Sequence, residues 1–73
     1  MDGLVDGDSV VGRFEKSSTA SVQVGLVRWQ DSEYLDIREV VPSGDGFKFT
    51  RKGLRFKIEL LPELIELLKA VPL

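Results

Sequence analysis

Along most of the chain apolar and polar positions alternate with a period of two, and only the stretch after residue 58 abandons that rhythm. In residues 21–30, Val22, Val24 and Leu26 fall on one side while Gln23, Gly25, Val27 and Trp29 fall on the other. Such alternation marks a strand buried on one face. Residues 33–41 repeat it, with Leu35 and Ile37 on one face and Tyr34, Asp36 and Arg38 on the other. The short polar turn at residues 30–33 makes these two strands an antiparallel pair. Residues 10–16 read as an earlier strand, ended by the polar connection 17–20. Residues 42–46, Pro-Ser-Gly-Asp-Gly, are a turn signal. Residues 47–58 follow as a fourth strand in which Gly53 marks a bulge or bend. Beyond it Leu54, Phe56 and Ile58 point inward, Arg55 and Lys57 outward.

At residues 59–71 the spacing becomes helical. Pro62 falls in the first turn, where its missing N–H costs nothing, and Pro72 lies just past the end. Glu59 and Glu63 complement the positive N-terminus of the helix dipole, and Lys69 the negative end. The pattern therefore predicts an α+β fold, a four-stranded antiparallel sheet followed by one C-terminal α-helix. Residues 1–9, rich in Asp and Gly and without periodicity, are expected to form a disordered acidic leader, and residues 10–73 a single domain.

The helix is too apolar for one buried stripe. Leu61, Leu64, Leu68 and Val71 can pack on the chain's own sheet, which leaves Leu60 and Leu67 on a second apolar surface. A domain of 73 residues buries only about 60% of its unfolded surface, and the chain has no Cys with which to staple itself. A second subunit is the simplest cover, with Leu60, Leu64, Leu67 and Leu68 as the candidate dimer interface. A hetero-partner or a membrane surface are the alternatives; a single Lys beside the apolar face is poor support for the membrane.

Net charge is −2, which taken whole argues against a nucleic-acid binder. Its distribution argues otherwise. Residues 1–46 hold nine acids against four bases, whereas residues 47–57 hold Lys48, Arg51, Lys52, Arg55 and Lys57 with no acid. A local field of this kind attracts phosphates, although a solvated strand flank would carry the same charges. Single strands are held by basic groups for the phosphates and aromatic faces for the bases. Arg28 and Arg38 on neighbouring strands, with Trp29, Tyr34, Phe47 and Phe49, supply both. Ordinary packing also accounts for Trp29 or Tyr34 taken singly, and Arg38 can instead pair with Asp36 or Glu39.

Enzymatic chemistry has little to work with. The chain lacks both His and Cys, the commonest general base and the strongest nucleophile. No carboxylate pair sits in an apolar setting that would tune it, and no phosphate-cradling Gly-rich loop precedes a helix. Neither a catalytic site, a metal site nor a cofactor is expected. The N-terminus lacks the basic and apolar regions of a signal peptide, and no apolar run is long enough to span a bilayer. A soluble cytoplasmic, nucleoid-associated protein is the expectation.

Three strings taken together are more specific. Tyr34-Leu-Asp-Ile-Arg-Glu39 precedes a Gly-containing turn, then comes Phe49-Thr-Arg-Lys-Gly53, then Glu59-Leu-Leu-Pro-Glu-Leu-Ile-Glu66. Their order and spacing resemble the positive cofactor four family, the transcriptional coactivator C-terminal domain, in its short bacterial form. Val11-Gly-Arg-Phe-Glu-Lys16 is similar to the family's first strand, so the resemblance covers about residues 11–71. It implies a curved four-stranded sheet plus helix, and a homodimer joined through helix and sheet edges that binds single-stranded DNA with little sequence preference. It also implies backbone contacts at Arg38, Arg51 and Lys52, with Lys48 just before them. Arg28 matches a basic position of the second strand, and Trp29 a position that is commonly aromatic. The chain departs from the family at Val40-Val41, where an aromatic is frequent, and in its short second hairpin.

The resulting expectation is a non-enzymatic, homodimeric binder of single-stranded DNA, acting in transcription regulation, replication or repair. Its candidate contacts are Arg28, Trp29, Tyr34, Arg38, Lys48, Arg51, Lys52 and Arg55. Single-stranded RNA is the alternative ligand, and a dimerisation module without nucleic-acid binding the alternative function. No small-molecule substrate is expected.

Overall fold

The computed structural model describes residues 9–73. Four strands, β1 (Ser9–Ser17), β2 (Ala20–Trp29), β3 (Ser32–Ser43) and β4 (Gly46–Lys57), form one antiparallel sheet in sequential order. A 3-10 turn, Ile58–Leu60, leads into α1, Leu61–Lys69. The predicted order of elements is the observed one, with the boundaries moved by a few residues. Ser9, placed in the leader by the sequence, begins β1; the rest of that leader lies outside the described residues.

Tight turns set the boundaries. Between β2 and β3 only Gln30 and Asp31 leave the ladder, both with positive φ (51° and 64°). Two left-handed residues are what a type I′ hairpin needs to match the right-handed twist of its strands. Gly44, with φ 58°, does the same job between β3 and β4, so pairing continues through Pro42 to Ser43 and Gly46. The predicted helix is shortened at its front. Pro62 has no N–H to give to Ile58, and the preceding residues wind into the tighter turn that Leu61 closes by donating to the Ile58 carbonyl. At the far end Ala70 N–H donates to the Leu67 carbonyl and Val71 N–H to the Leu68 carbonyl before Pro72.

Directly paired residues share a sheet face, so the register sorts the side chains. Pairs Val22–Glu39, Val24–Ile37, Leu26–Leu35, Leu35–Phe56 and Ile37–Leu54 define a largely apolar face, joined by Phe14 opposite Val22. Pairs Gln23–Arg38, Val27–Tyr34, Asp36–Arg55 and Arg13–Gln23 define a polar one. The sequence points to the apolar face as the core, and here the structure differs. Leu35 is buried, but Ile37 and Phe56 are only half-buried and Leu54 is 52% exposed. Burial is deepest on the other side, at Ser21, Gln23, Val27, Asp36 and Val40.

Curvature is the reason. The strands β1 and β4 are opposite edges, about 14 Å apart in a flat four-stranded sheet. Nevertheless the Arg13 guanidinium of β1 lies 4.1 Å from the ring centroid of Phe47 in β4. The sheet curls over its polar face, and the small or hydrogen-bonded side chains there are covered by its own edges. Two register shifts in β1 and one between β3 and β4 provide the bends.

The 3-10 turn touches β3, and α1 makes its principal contacts with that turn rather than with the sheet. Only Leu61 and Leu64 of α1 become half-buried. Leu68 and Val71, expected to pack on the sheet, stay exposed with Leu60, Ile65 and Leu67. Among the described residues no helix is long and apolar enough to cross a membrane.

Candidate nucleic-acid interface

The bulge between β3 and β4 organises the site. Arg38 pairs with Gly53 and Val40 with Phe49, so Thr50, Arg51 and Lys52 together lie opposite Glu39 alone. Gly53 is required at the base of this loop: a Cβ there would stand 2.5 Å from the Ile37 carbonyl oxygen and 2.9 Å from Arg38 Cα. The loop is pinned by hydrogen bonds. Thr50 Oγ1 donates to the Glu39 carbonyl at 2.8 Å and accepts from the Lys52 N–H at 3.1 Å. Arg38 Nη1 donates to the Thr50 carbonyl at 3.0 Å.

Arg38 is held from its other side by Asp36. Nε donates to Oδ2 at 3.2 Å and Nη2 to Oδ1 at 2.8 Å, a fork-on-fork pair with a buried carboxylate. The hydrogen bond to Asp36 raises the Arg38 guanidinium above its ordinary value, with burial opposing and the Asp36 charge adding. Arg55 Nε reaches the same Oδ1 at 3.3 Å. One carboxylate thus orders two guanidinium groups across neighbouring strands. Every nitrogen of Arg38 is committed inside the protein.

At one end of the polar face, Val27, Trp29, Tyr34 and Arg55 line an open depression of about 360 Å³. Trp29 is 61% exposed, and its neighbours present one phenol ring and one guanidinium. This combination of aromatic faces and a cation receives stacked bases in single-strand binders.

The remaining predicted residues are placed differently. Arg51 and Lys52 ride on the bulge, and among the described residues their side chains make no ion pair. Lys48 pairs with Val41 and Arg28 with Glu33, which turns both toward the apolar face. Arg28 is also tied to Glu33, Nη2 to Oε2 at 3.4 Å. The structure therefore brings Trp29, Tyr34, Arg38 and Arg55 together, sets Arg51 and Lys52 at their border, and separates Arg28 and Lys48 from them. Glu39, on the apolar face, is paired with Lys16; that hydrogen bond lowers its carboxyl below the ordinary value, burial opposing and the Lys16 and Lys52 charges adding.

Sequence reasoning missed Asp36 as an organiser and Arg13 altogether. Asp36 carries a weak signal, an acid on the strand face that otherwise bears Tyr34 and Arg38. Arg13 carries none, since its approach to Phe47 depends on how far the sheet curls.

The family model described as Transcriptional Coactivator p15 (PC4) matches residues 14–67. The chain belongs to the PC4 family. This is the positive cofactor four family that the three strings resemble, a non-enzymatic family of coactivators that bind single-stranded DNA. Among solved structures, a PC4 homolog from Burkholderia pseudomallei K96243, BPSL1147, is similar in its orthorhombic crystal form with a TM-score of 0.79 and 29% identity, over 92% of each chain. Its tetragonal form gives 0.76 and 30% identity, over 86% of this chain and 94% of that one. The curated proteins give no match. The PC4 fold, an open four-stranded antiparallel sheet with one C-terminal helix, is thus the fold of this chain.

Proposed function

We propose that this protein is a homodimeric, sequence-tolerant binder of single-stranded DNA that acts in transcription regulation, replication or repair in association with the nucleoid. The observation that carries the reading is the exposed depression of Trp29, Tyr34 and Arg55 beside the pinned cationic bulge. Bases stack on the aromatic rings, and Arg51 and Lys52 neutralise phosphates along the border. Lys48 and Arg28 contribute field from the other face rather than direct contact. Arg38 acts through its neighbours, by holding the bulge and the Asp36 carboxylate in place.

Dimer formation is supported by the apolar surface a single chain leaves uncovered. Leu54 and Phe14 on the sheet, Leu60 in the 3-10 turn, and Leu67 and Leu68 on the helix are all exposed. Among the described residues only Ala20, Val27, Leu35 and Val40 are buried hydrophobic side chains, which is little core. Burying the helix leucines against a second copy stabilises both.

Fluorescence anisotropy of a labelled oligo-dT tests the binding surface. Trp29→Ala and Tyr34→Ala should each weaken binding by about 1–3 kcal/mol per lost stacked base. Full affinity in the double variant would remove the depression from the account.

A further inference from the structure

The polar face carries a second cationic feature at the end opposite the Trp29 depression. Arg13 donates from Nε and Nη2 to Gln23 Oε1, at 3.0 and 2.6 Å, while its guanidinium plane lies over Phe47 at 4.1 Å. Gln23 is itself buried. Arg13 is exposed and, with Phe47, borders an open depression of about 240 Å³ whose rim includes Ser17, Ser18 and Glu15. Glu15 makes no hydrogen bond or ion pair with it.

This arrangement differs from that of Arg28, Arg38 and Arg55. Arg38 and Arg55 share Asp36, and Arg28 is tied to Glu33. Among the described residues no carboxylate pairs with Arg13. Its partners are a neutral amide and the negative face of an aromatic ring, which fix the side chain without cancelling its charge. Two of its five N–H groups are spent on Gln23, and the rest remain for an anion. Because the side chain is already ordered, a bound anion need not bear the entropy cost of ordering it.

We propose that Arg13, positioned by Gln23 and Phe47, is a phosphate-contacting residue for the same single strand, extending the binding path to the end of the polar face remote from Trp29. This rests on the single-strand-binding reading above. From Tyr34 to Pro42, which pairs with Phe47, the face runs eight residues of β3, about 26 Å at the rise of a strand. The backbone of one strand can therefore engage both ends, and long oligonucleotides gain from Arg13 where very short ones do not.

The test is a salt titration of oligo-dT binding by anisotropy, using the full chain and three variants. Each phosphate contact to a single strand adds about −0.7 to the slope of log K against log salt. Arg13→Ala should make the slope shallower by about 0.7. Arg13→Lys should keep the slope, because the charge remains, but lower the affinity, because the planar group held by Gln23 and Phe47 is gone. Gln23→Glu is the sharpest variant: it leaves Arg13 in place, gives it a carboxylate partner, and should reproduce the slope of Arg13→Ala. A clasp that only fastens β1 to β4 would be strengthened by that change. Wild-type slopes in both Arg13→Ala and Gln23→Glu overturn the proposal while leaving single-strand binding intact. A wild-type protein that binds no oligo-dT overturns the binding reading itself, and this inference with it.

Discussion

Glu39 shows how a single side chain links the fold to solution conditions. Its carboxyl is held below its ordinary value of 4.5 by the hydrogen bond from Lys16. A group whose folded value is depressed stabilises the folded state fully above its unfolded value, and that contribution is lost as pH falls through the folded one. The protein should accordingly lose stability on acidification below about pH 4.5, the ordinary carboxyl value. Lys16→Met should move the NMR-detected Glu39 titration upward and flatten that acid dependence. An unchanged Glu39 titration in Lys16→Met would remove the pair as its cause. Residues of this kind were half legible from sequence. The alternation put Tyr34, Asp36 and Arg38 on one side of β3, as observed. It did not show that Asp36 would bind two guanidinium groups, because that depends on which residue of β4 lands beside it after the bulge.

Among the elements, β4 illustrates the same limit. Its basic stretch and the bend at Gly53 were both legible, the first from composition and the second from an isolated glycine within a strand pattern. The size of the bulge was not. Three residues face Glu39, and this insertion moves the partner of Lys48 two places along β3, to Val41, without changing the face on which it lies. Gly53→Ala should destabilise the fold by about 1–3 kcal/mol, the cost of forcing a methyl into filled space. Chemical denaturation measures this, and a neutral substitution would mean that the Ile37 carbonyl can move aside. The helix misled for a different reason. Its Leu spacing suggested an ordinary stripe on the chain's own sheet, yet the sheet curls away and only Leu61 and Leu64 become half-buried.

At the scale of the whole molecule, curvature governs which side chains are buried and which are exposed. It puts most of the buried positions on the polar face and leaves Leu54, Phe14, Leu60, Leu67 and Leu68 exposed. Leu67 is 70% exposed, so Leu67→Asp should not disturb packing within one chain. It should instead shift sedimentation toward monomer and reduce thermal stability at low concentration, because association and folding are linked. A dimer that survives this change together with Leu60→Asp would locate the interface elsewhere. The family match over residues 14–67 and the similarity to the Burkholderia pseudomallei homolog agree on this architecture. The polar face is then the surface on which a nucleic-acid strand is to be sought.

Trp29 is the chain's single tryptophan and stands on that surface. The most direct measurement is therefore its fluorescence during titration with oligo-dT, and with a duplex of the same length, at low and moderate salt. Saturable quenching by the single strand, weakening as salt rises and much smaller with duplex, is the predicted result. Fluorescence that is unchanged by the single strand, or changed equally by duplex, would contradict the account.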